Sequence, residues 1–401
     1  MGHRRWTFSM LVVVLACGAA VPDAAVRPGI DVLLRDSAHL VAGRRVGLLA
    51  NAASVDRNGV SDLGRLLAAG VEVTAIFSPE HGYRVRLEGS VPDAVDSATG
   101  LPVFGLYGAS SRPTAAALDL IDVLLVDLPD IGGRTYTYAS TMFDAMEAAG
   151  ASGIAVVVLD RPNPIGGQLV QGPTLHSRYA SEVGRLPIPM RHGMTLGELA
   201  RLGAAELGID ADVSVVPVAG WTRGMWFDGT GMTWANPSPS MPSLESATHY
   251  PGLVIFEATR LSVGRGTPIA FQLVAAPWLD PAAVLGEVSA SGGVEWSDTT
   301  VVPQSPPDNK YGGELLPAIR LRAIDRDRYD PVATGVALFL AIGRVHPDRM
   351  QPDSAGMTRL WGSPALWNAW HDGVPAGEVV AGWQDDLAAF RARREAFVLY
   401  R

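Results

Sequence analysis

The chain has 401 residues, 48% of them hydrophobic and 18% charged, with a formal net charge of -9. That is enough apolar material for a large core, with two or three domains as a soft prior. The acidic balance argues against a nucleic-acid partner, because phosphate binding needs a basic surface. The 44 glycines and 29 prolines mark many turns but carry no regular period, which disfavours a solenoid.

The first 28 residues read as an export signal and a linker. His3, Arg4 and Arg5 precede the apolar run 11–16, which is too short to cross a hydrocarbon core of about 30 Å as a permanent anchor. The only cysteine, Cys17, follows that run in the context Val14-Leu15-Ala16-Cys17-Gly18. This resembles a bacterial lipobox, in which the cysteine is lipidated and becomes the mature N-terminus. Ordinary signal-peptidase cleavage in the small-residue stretch through Ala25 is the alternative. Either route predicts a periplasmic or extracellular protein, with a membrane contact only through a lipid on Cys17. No cysteine then remains for a disulfide or a thiolate metal site.

From residue 29 onward, apolar runs alternate with amphipathic ones. Strands are expected at 46–50, 71–77, 121–128, 154–160 and 213–218, and helices at 60–69, 113–120, 139–149 and 195–207. Thr195 and Glu198 form a capping box for the last of these helices. Continuously apolar, β-branched strands separated by helices predict a parallel sheet covered on both faces. After Gly220 the texture changes to Trp221, Trp226 and Trp234 among glycines, then Asn236-Pro237-Ser238-Pro239-Ser240-Met241-Pro242. A second half follows, with strands expected at 253–257, 269–275 and 319–324 and helices at 281–289, 331–342 and 383–397. The reading is α/β throughout, with a Rossmann-like domain over 29–235 and a smaller α/β domain over 236–401.

In an open α/β sheet, ligands bind beyond the carboxyl ends of the strands, and those ends are polar here. One strand runs into Ser78-Pro79-Glu80-His81-Gly82, and a second into Asp130, Arg134, Tyr136 and Tyr138. A third runs into Asp160-Arg161-Pro162-Asn163, and Arg191-His192 precedes the capped helix. Asp130 and Asn163 can equally serve as turn caps. The first strand leads into Asn51-Ala52-Ala53-Ser54, not a glycine fingerprint, and no P-loop or nucleophile elbow occurs, so nucleotide and Ser-His-Asp chemistry are disfavoured. No cofactor and no metal set is assigned, although an ion held by His81, His192 and His249 stays open as an alternative. Carboxylate chemistry remains. Glycoside hydrolysis needs a neutral carboxylic acid and usually a second carboxylate. Glu80 is the leading acid, and Glu257, in the other half, can face it across an interdomain cleft.

Several ordered runs then carry a family resemblance. They include Phe77 to Gly82, Asp130 to Tyr138, Leu159 to Gly167, Pro187 to Thr195, Asn236 to Pro242, Tyr250-Pro251-Gly252, Gly264-Arg265-Gly266-Thr267 and Asn309-Lys310-Tyr311. Together they resemble the exo-β-N-acetylmuramidases of the NamZ/YbbC type, over nearly all of the chain beyond Gly29. The resemblance implies a Rossmann-like domain, a smaller α/β domain and an active site in the cleft between them. It implies release of N-acetylmuramic acid from the non-reducing ends of peptidoglycan fragments. On that reading Glu80 is general acid/base, supported by His81 or His192, with Glu257 the second carboxylate or a sugar-hydroxyl ligand. The sugar's lactyl carboxylate wants a bidentate arginine, for which Arg134, Arg161, Arg191 and Arg265 compete. Tyr136 and Tyr138 can offer hydroxyls or a ring face, beside Asp130 and Asn163. The chain departs from the family at Pro129, Ala258, Arg260 and Gln272, which touches fine specificity more than reaction class. A non-catalytic envelope lipoprotein that binds such fragments is the alternative.

Overall fold

The computed structural model describes residues 25–288 and 292–401, so the expected export signal and Cys17 lie outside the described residues. The first half contributes β1 (Val46–Ala50), β2 (Val73–Ser78), a short β3 (Ala94–Val95), β4 (Pro102–Gly105), β5 (Val123–Asp127) and β6 (Ala155–Leu159). A two-stranded ribbon, β7 (Gln171–Thr174) and β8 (Pro189–Arg191), precedes β9 (Val213–Val216). The helices are α1 (Gly29–Asp36), α2 (Asp62–Ala68), α3 (Ala115–Leu118), α4 (Tyr138–Ala151) and α5 (Leu196–Leu207).

Seven strands form one sheet in the order β3-β4-β2-β1-β5-β6-β9, parallel except at the β3 edge. The chain builds outward from β1 to β4, then returns to lay β5 beside β1. This is the Rossmann order, with its crevice at the carboxyl ends of β1 and β5. The period-two alternation of strand side chains explains why these strands read as uniformly apolar. Leu48, Ile76, Leu125 and Val157 pack with Ile30 and Leu33 of α1 and Leu63 and Leu66 of α2. Leu49, Phe77, Leu124 and Val126 pack on the other face with Met142 and Phe143 of α4 and Leu199 of α5. Both faces are buried, so no position needs a polar residue.

The second half opens with α6 (Leu244–Leu253), which continues as a 3₁₀ turn over Val254–Ala258. The strand expected over 253–257 is therefore helical. Its run of apolar residues faces a core on all sides, and periodicity cannot separate that from a buried strand. Next come β10 (Leu273–Ala275), α7 (Pro281–Glu287), β11 (Val294–Val301) and β12 (Leu316–Ala323). They form an antiparallel sheet in the order β10-β12-β11. β11 escapes a search for apolar runs because its outer residues are exposed and polar. Five helices close the chain: α8 (Pro331–Val345), α9 (Ser354–Trp361), α10 (Ala365–Asp372), α11 (Ala376–Ala381) and α12 (Gln384–Arg394).

The two halves share a single hydrophobic core running from α4 and α5 through α6 to α8 and α12. The glycine of Tyr250-Pro251-Gly252 marks where α6 crosses α8. A Cβ on Gly252 would lie 1.8 Å from the Pro331 carbonyl oxygen, and one on Gly335 2.3 Å from the Gly252 carbonyl oxygen. Only glycine allows backbones this close. The chain end returns to the first sheet, where Tyr400 Oη donates to Asp160 Oδ2 in 2.5 Å. Arg394 Nη1 donates to the carbonyls of Gly167 and Gly193.

Candidate active site

β2 ends at Ser78, and Pro79 turns the chain so that Glu80 stands half-buried at the carboxyl edge of the sheet. His81 takes φ 70 and Gly82 φ 73, a left-handed pair that a side-chain-bearing residue adopts only under constraint. The constraint is visible: His81 Nδ1 lies 3.0 Å from the Leu87 carbonyl oxygen, and the backbone N–H groups of Arg86 and Leu87 both donate to the His81 carbonyl. The loop holds Glu80 rigidly.

Glu80 opens onto a cleft with about 350 Å³ of free space, lined from both halves of the chain. Thr137 Oγ1 donates to Glu80 Oε2 at 2.6 Å. Burial and the nearby Glu80 carboxyl group push the Tyr107 phenol above its ordinary range, so it keeps its proton. Opposite stand Ser238, Ser240 and Met241 from the proline-rich segment, with Tyr250, Arg265 and Phe271. That segment is pinned over the sheet, because Tyr138 Oη and Asn51 Nδ2 both donate to the Pro237 carbonyl and Trp234 Nε1 to that of Met241. Thr135 Oγ1 and Tyr136 Oη are buried in the cleft wall and have no hydrogen-bond partner. Native proteins rarely leave buried polar groups unpaired, and both hydroxyls stay unsatisfied by the protein although they are closed off from the free space.

Glu257 sits on the 3₁₀ turn after α6 and pairs with Arg265. The Nε and Nη2 groups of Arg265 both reach Glu257 Oε1, at 2.6 and 2.5 Å. Oε2 is left free, and Arg265 Nη1 has no protein partner among the described residues. Despite its burial the Arg265 guanidinium is held above its usual pKa by Glu257. Lys310, in the Asn309-Lys310-Tyr311 run, fixes the turn beneath by donating to the carbonyls of Glu257 and Leu261 at 3.1 and 2.9 Å. Arg265 itself lines the Glu80 cleft, so Glu257 reaches that cleft through its ion-pair partner.

The other predicted site residues lie elsewhere, and most have other work. Arg134 is buried and donates to the carbonyls of Pro173, Ile188, Leu360 and Trp361. With no carboxylate partner, burial lowers its pKa to about 9. Arg191 donates to Gln171 and the Ile165 carbonyl and stacks 5.1 Å from the Trp226 ring centroid. Arg161 bridges the buried carboxylates of Asp127 and Asp62, and burial beside Asp127 raises Asp62 well above the usual carboxylate range. Asn163 caps its own loop, accepting from Ile165 N and donating to the Met194 carbonyl. These residues hold the scaffold and do not line the Glu80 cleft.

His192 is also away from Glu80. Its Nε2 lies 3.6 Å from Asp130 Oδ2 and its Nδ1 accepts from Met194 N. Asp130 borders a second, mainly apolar cavity of about 450 Å³ on the far side of Pro237. Tyr138 is buried beneath the cleft, while Tyr136 lines it. His249 hydrogen-bonds Tyr329 and Glu245 inside the second half, so the three histidines do not meet. Among the described residues no three His, Cys, Asp or Glu side chains form a group able to hold an ion. Of the departures, Gln272 is buried against Ser243, Ser246 and Arg320, outside the cleft, and Arg260 is exposed.

Sequence reasoning missed Tyr107, Thr135, Thr137, Ser238, Ser240 and Tyr250. All but Tyr107 lie within the quoted motifs, where hydroxyls interleaved with prolines and glycines were the available signal. Tyr107 follows β4, a strand too short to stand out.

A two-lobed α/β protein with a half-buried carboxyl group and several hydroxyls around one cleft has the layout of a carbohydrate-hydrolysing enzyme. Residues 46–245 match the family model described as exo-β-N-acetylmuramidase NamZ, N-terminal, and residues 248–400 match the C-terminal model of the same name. A curated relative, the peptidoglycan β-N-acetylmuramidase NamZ of Bacillus subtilis, is 36% identical over 98% of this chain and 97% of its own length. Two crystal structures of DUF1343-family proteins from Bacteroides fragilis share the fold. One has a TM-score of 0.87 at 32% identity, covering 95% of this chain and all of the other. The second has a TM-score of 0.76 at 28% identity, covering 94% and 99%. The chain belongs to the NamZ exo-β-N-acetylmuramidase family of glycoside hydrolases.

Proposed function

We propose that the chain hydrolyses the terminal β-N-acetylmuramyl linkage at the non-reducing end of peptidoglycan fragments, with Glu80 as general acid/base. The carrying observation is Glu80 itself: a carboxyl group oriented by Thr137, beside the neutral Tyr107 phenol, in a cleft whose Thr135 and Tyr136 hydroxyls are unpaired. Glu80 protonates the bridging oxygen as the bond to the anomeric carbon breaks, and a water oxygen supplies the new bond. Glu257 Oε2 takes a sugar hydroxyl or serves as the second carboxylate. The free Nη1 of Arg265 is the group assigned to the lactyl carboxylate, because the other three candidate arginines are engaged elsewhere. His81 stands beside Glu80 with its ring fixed by the contact between Nδ1 and the Leu87 carbonyl oxygen.

The test is release of free N-acetylmuramic acid from a synthetic β-muramide. A protein that binds the muramide without turning it over is a sugar-binding protein, and this reading is then wrong. Export, with Cys17 lipidated, belongs to the same reading and rests on the basic and apolar pattern of residues 3–17. The mass of the mature N-terminus decides it, since cleavage beyond Cys17 would leave no lipid.

A further inference from the structure

The loop that shapes Glu80 has a second side. His81 walls the Glu80 cleft, and it also walls a larger pouch with about 740 Å³ of free space, open to the surface. Tyr83, Arg84, Arg86, Leu87, Val91 and Val95 form much of that pouch. Its chemistry is mixed in a particular way. Leu87 and Val95 are 41% and 67% exposed, two apolar side chains within reach of solvent. Arg84 is held by Asp96, whereas Arg86 is exposed and has no carboxylate partner among the described residues. Glu88, the nearest acid along the loop, turns the other way, towards His81 Nδ1 at 3.7 Å. The pouch therefore offers apolar ground and one uncommitted guanidinium, next to the acid that would protonate a leaving group.

We propose that this pouch holds the leaving side of the substrate and that Arg86 pairs with a carboxylate carried there. This rests on the muramidase reading of the Glu80 cleft. On the exo reading only the terminal sugar occupies the Glu80 cleft, so the remainder of the chain lies beyond one of its walls, and the pouch is the free space that shares the His81 wall. A glycan of alternating N-acetylated amino sugars and lactyl-bearing units has the complementary features: acetamido methyls and pyranose faces for Leu87 and Val95, and a carboxylate for Arg86. That carboxylate can belong to a bare lactyl ether or to a peptide attached to it. A guanidinium paired with a carboxylate at a solvent-exposed site is a modest interaction, weakened by salt.

The experiment compares kcat/KM on three substrates that share the same terminal N-acetylmuramyl unit. The first leaves uncharged N-acetylglucosamine. The second leaves a chain that adds a bare muramyl unit, and the third carries a peptide on that unit. The wild-type protein is expected to prefer the charged leaving chains about tenfold, and Arg86→Gln to bring that ratio close to one, with Arg86→Lys in between. Preference for both charged chains identifies the carboxylate itself as the recognised group; preference for the third alone assigns it to the peptide. A wild-type ratio near one, or a ratio that survives Arg86→Gln, overturns the proposal. Failure to cleave any of the three overturns the muramidase reading instead.

Discussion

After β2 the chain turns through Pro79, Glu80, His81 and Gly82; after β6 it turns through Asp160, Arg161, Pro162, Asn163 and Pro164. Both loops carry acid, base and proline at the carboxyl edge of one sheet. In the second, the polar atoms are satisfied almost throughout. Asp160 accepts from Tyr400, Thr195, Gly197 N and Arg161 N, while burial pushes its carboxyl up to about 6. Arg161 is closed around Asp127 and Asp62. In the first, Glu80 has Thr137 and Tyr107 on one side and open space on the other, among hydroxyls with nothing to bind. Polarity at a strand end therefore does not separate function from architecture. What sets the β2 loop apart is a half-buried carboxyl group that lines free space.

Three substitutions can break or sharpen that contrast. Glu80→Gln keeps shape and removes the titrating group, so kcat/KM on a β-muramide should fall about 10³-fold, within the usual range for a general acid, while the denaturation midpoint holds. Near-normal turnover would remove Glu80 from the mechanism. Arg161→Met should do the reverse. It leaves two buried carboxylates without their cation and costs about 3–5 kcal/mol of stability, but whatever folds should turn over substrate normally. A stable Arg161→Met protein with impaired catalysis would mean that the β6 loop is functional after all. Tyr136→Phe is the mildest. The hydroxyl has no protein partner to lose, so stability should stay within about 0.5 kcal/mol, with kcat/KM down by up to about tenfold if a sugar hydroxyl binds there. An unchanged kcat/KM would show that its hydroxyl meets no substrate.

The same contrast marks what could be read from the chain. The parallel sheet was legible because its strands are buried on both faces and its helices carry caps, as at Thr195, where both halves of the capping box form. The strand assigned to 253–257 failed because a helix buried all round has no polar stripe to reveal it. Glu80 was legible as a residue at a strand end. Its neighbours were not, because Tyr107, Thr135, Ser238 and Tyr250 converge only once the proline-rich segment is laid over the sheet. The four arginines looked equivalent in sequence. Only their partners, carbonyls for Arg134 and carboxylates for Arg161 and Arg265, tell them apart.

The hydrogen bond from Tyr400 to Asp160 joins residues 240 positions apart, and Arg394 reaches back 227 positions to Gly167. During synthesis, the first half meets the solvent long before these partners emerge. Until then the cap over β6 lacks its last donor, and the face destined for α12 stands uncovered. Final consolidation therefore waits on the end of the chain, and a fusion or clip near residue 400 would be felt at the carboxyl end of β6.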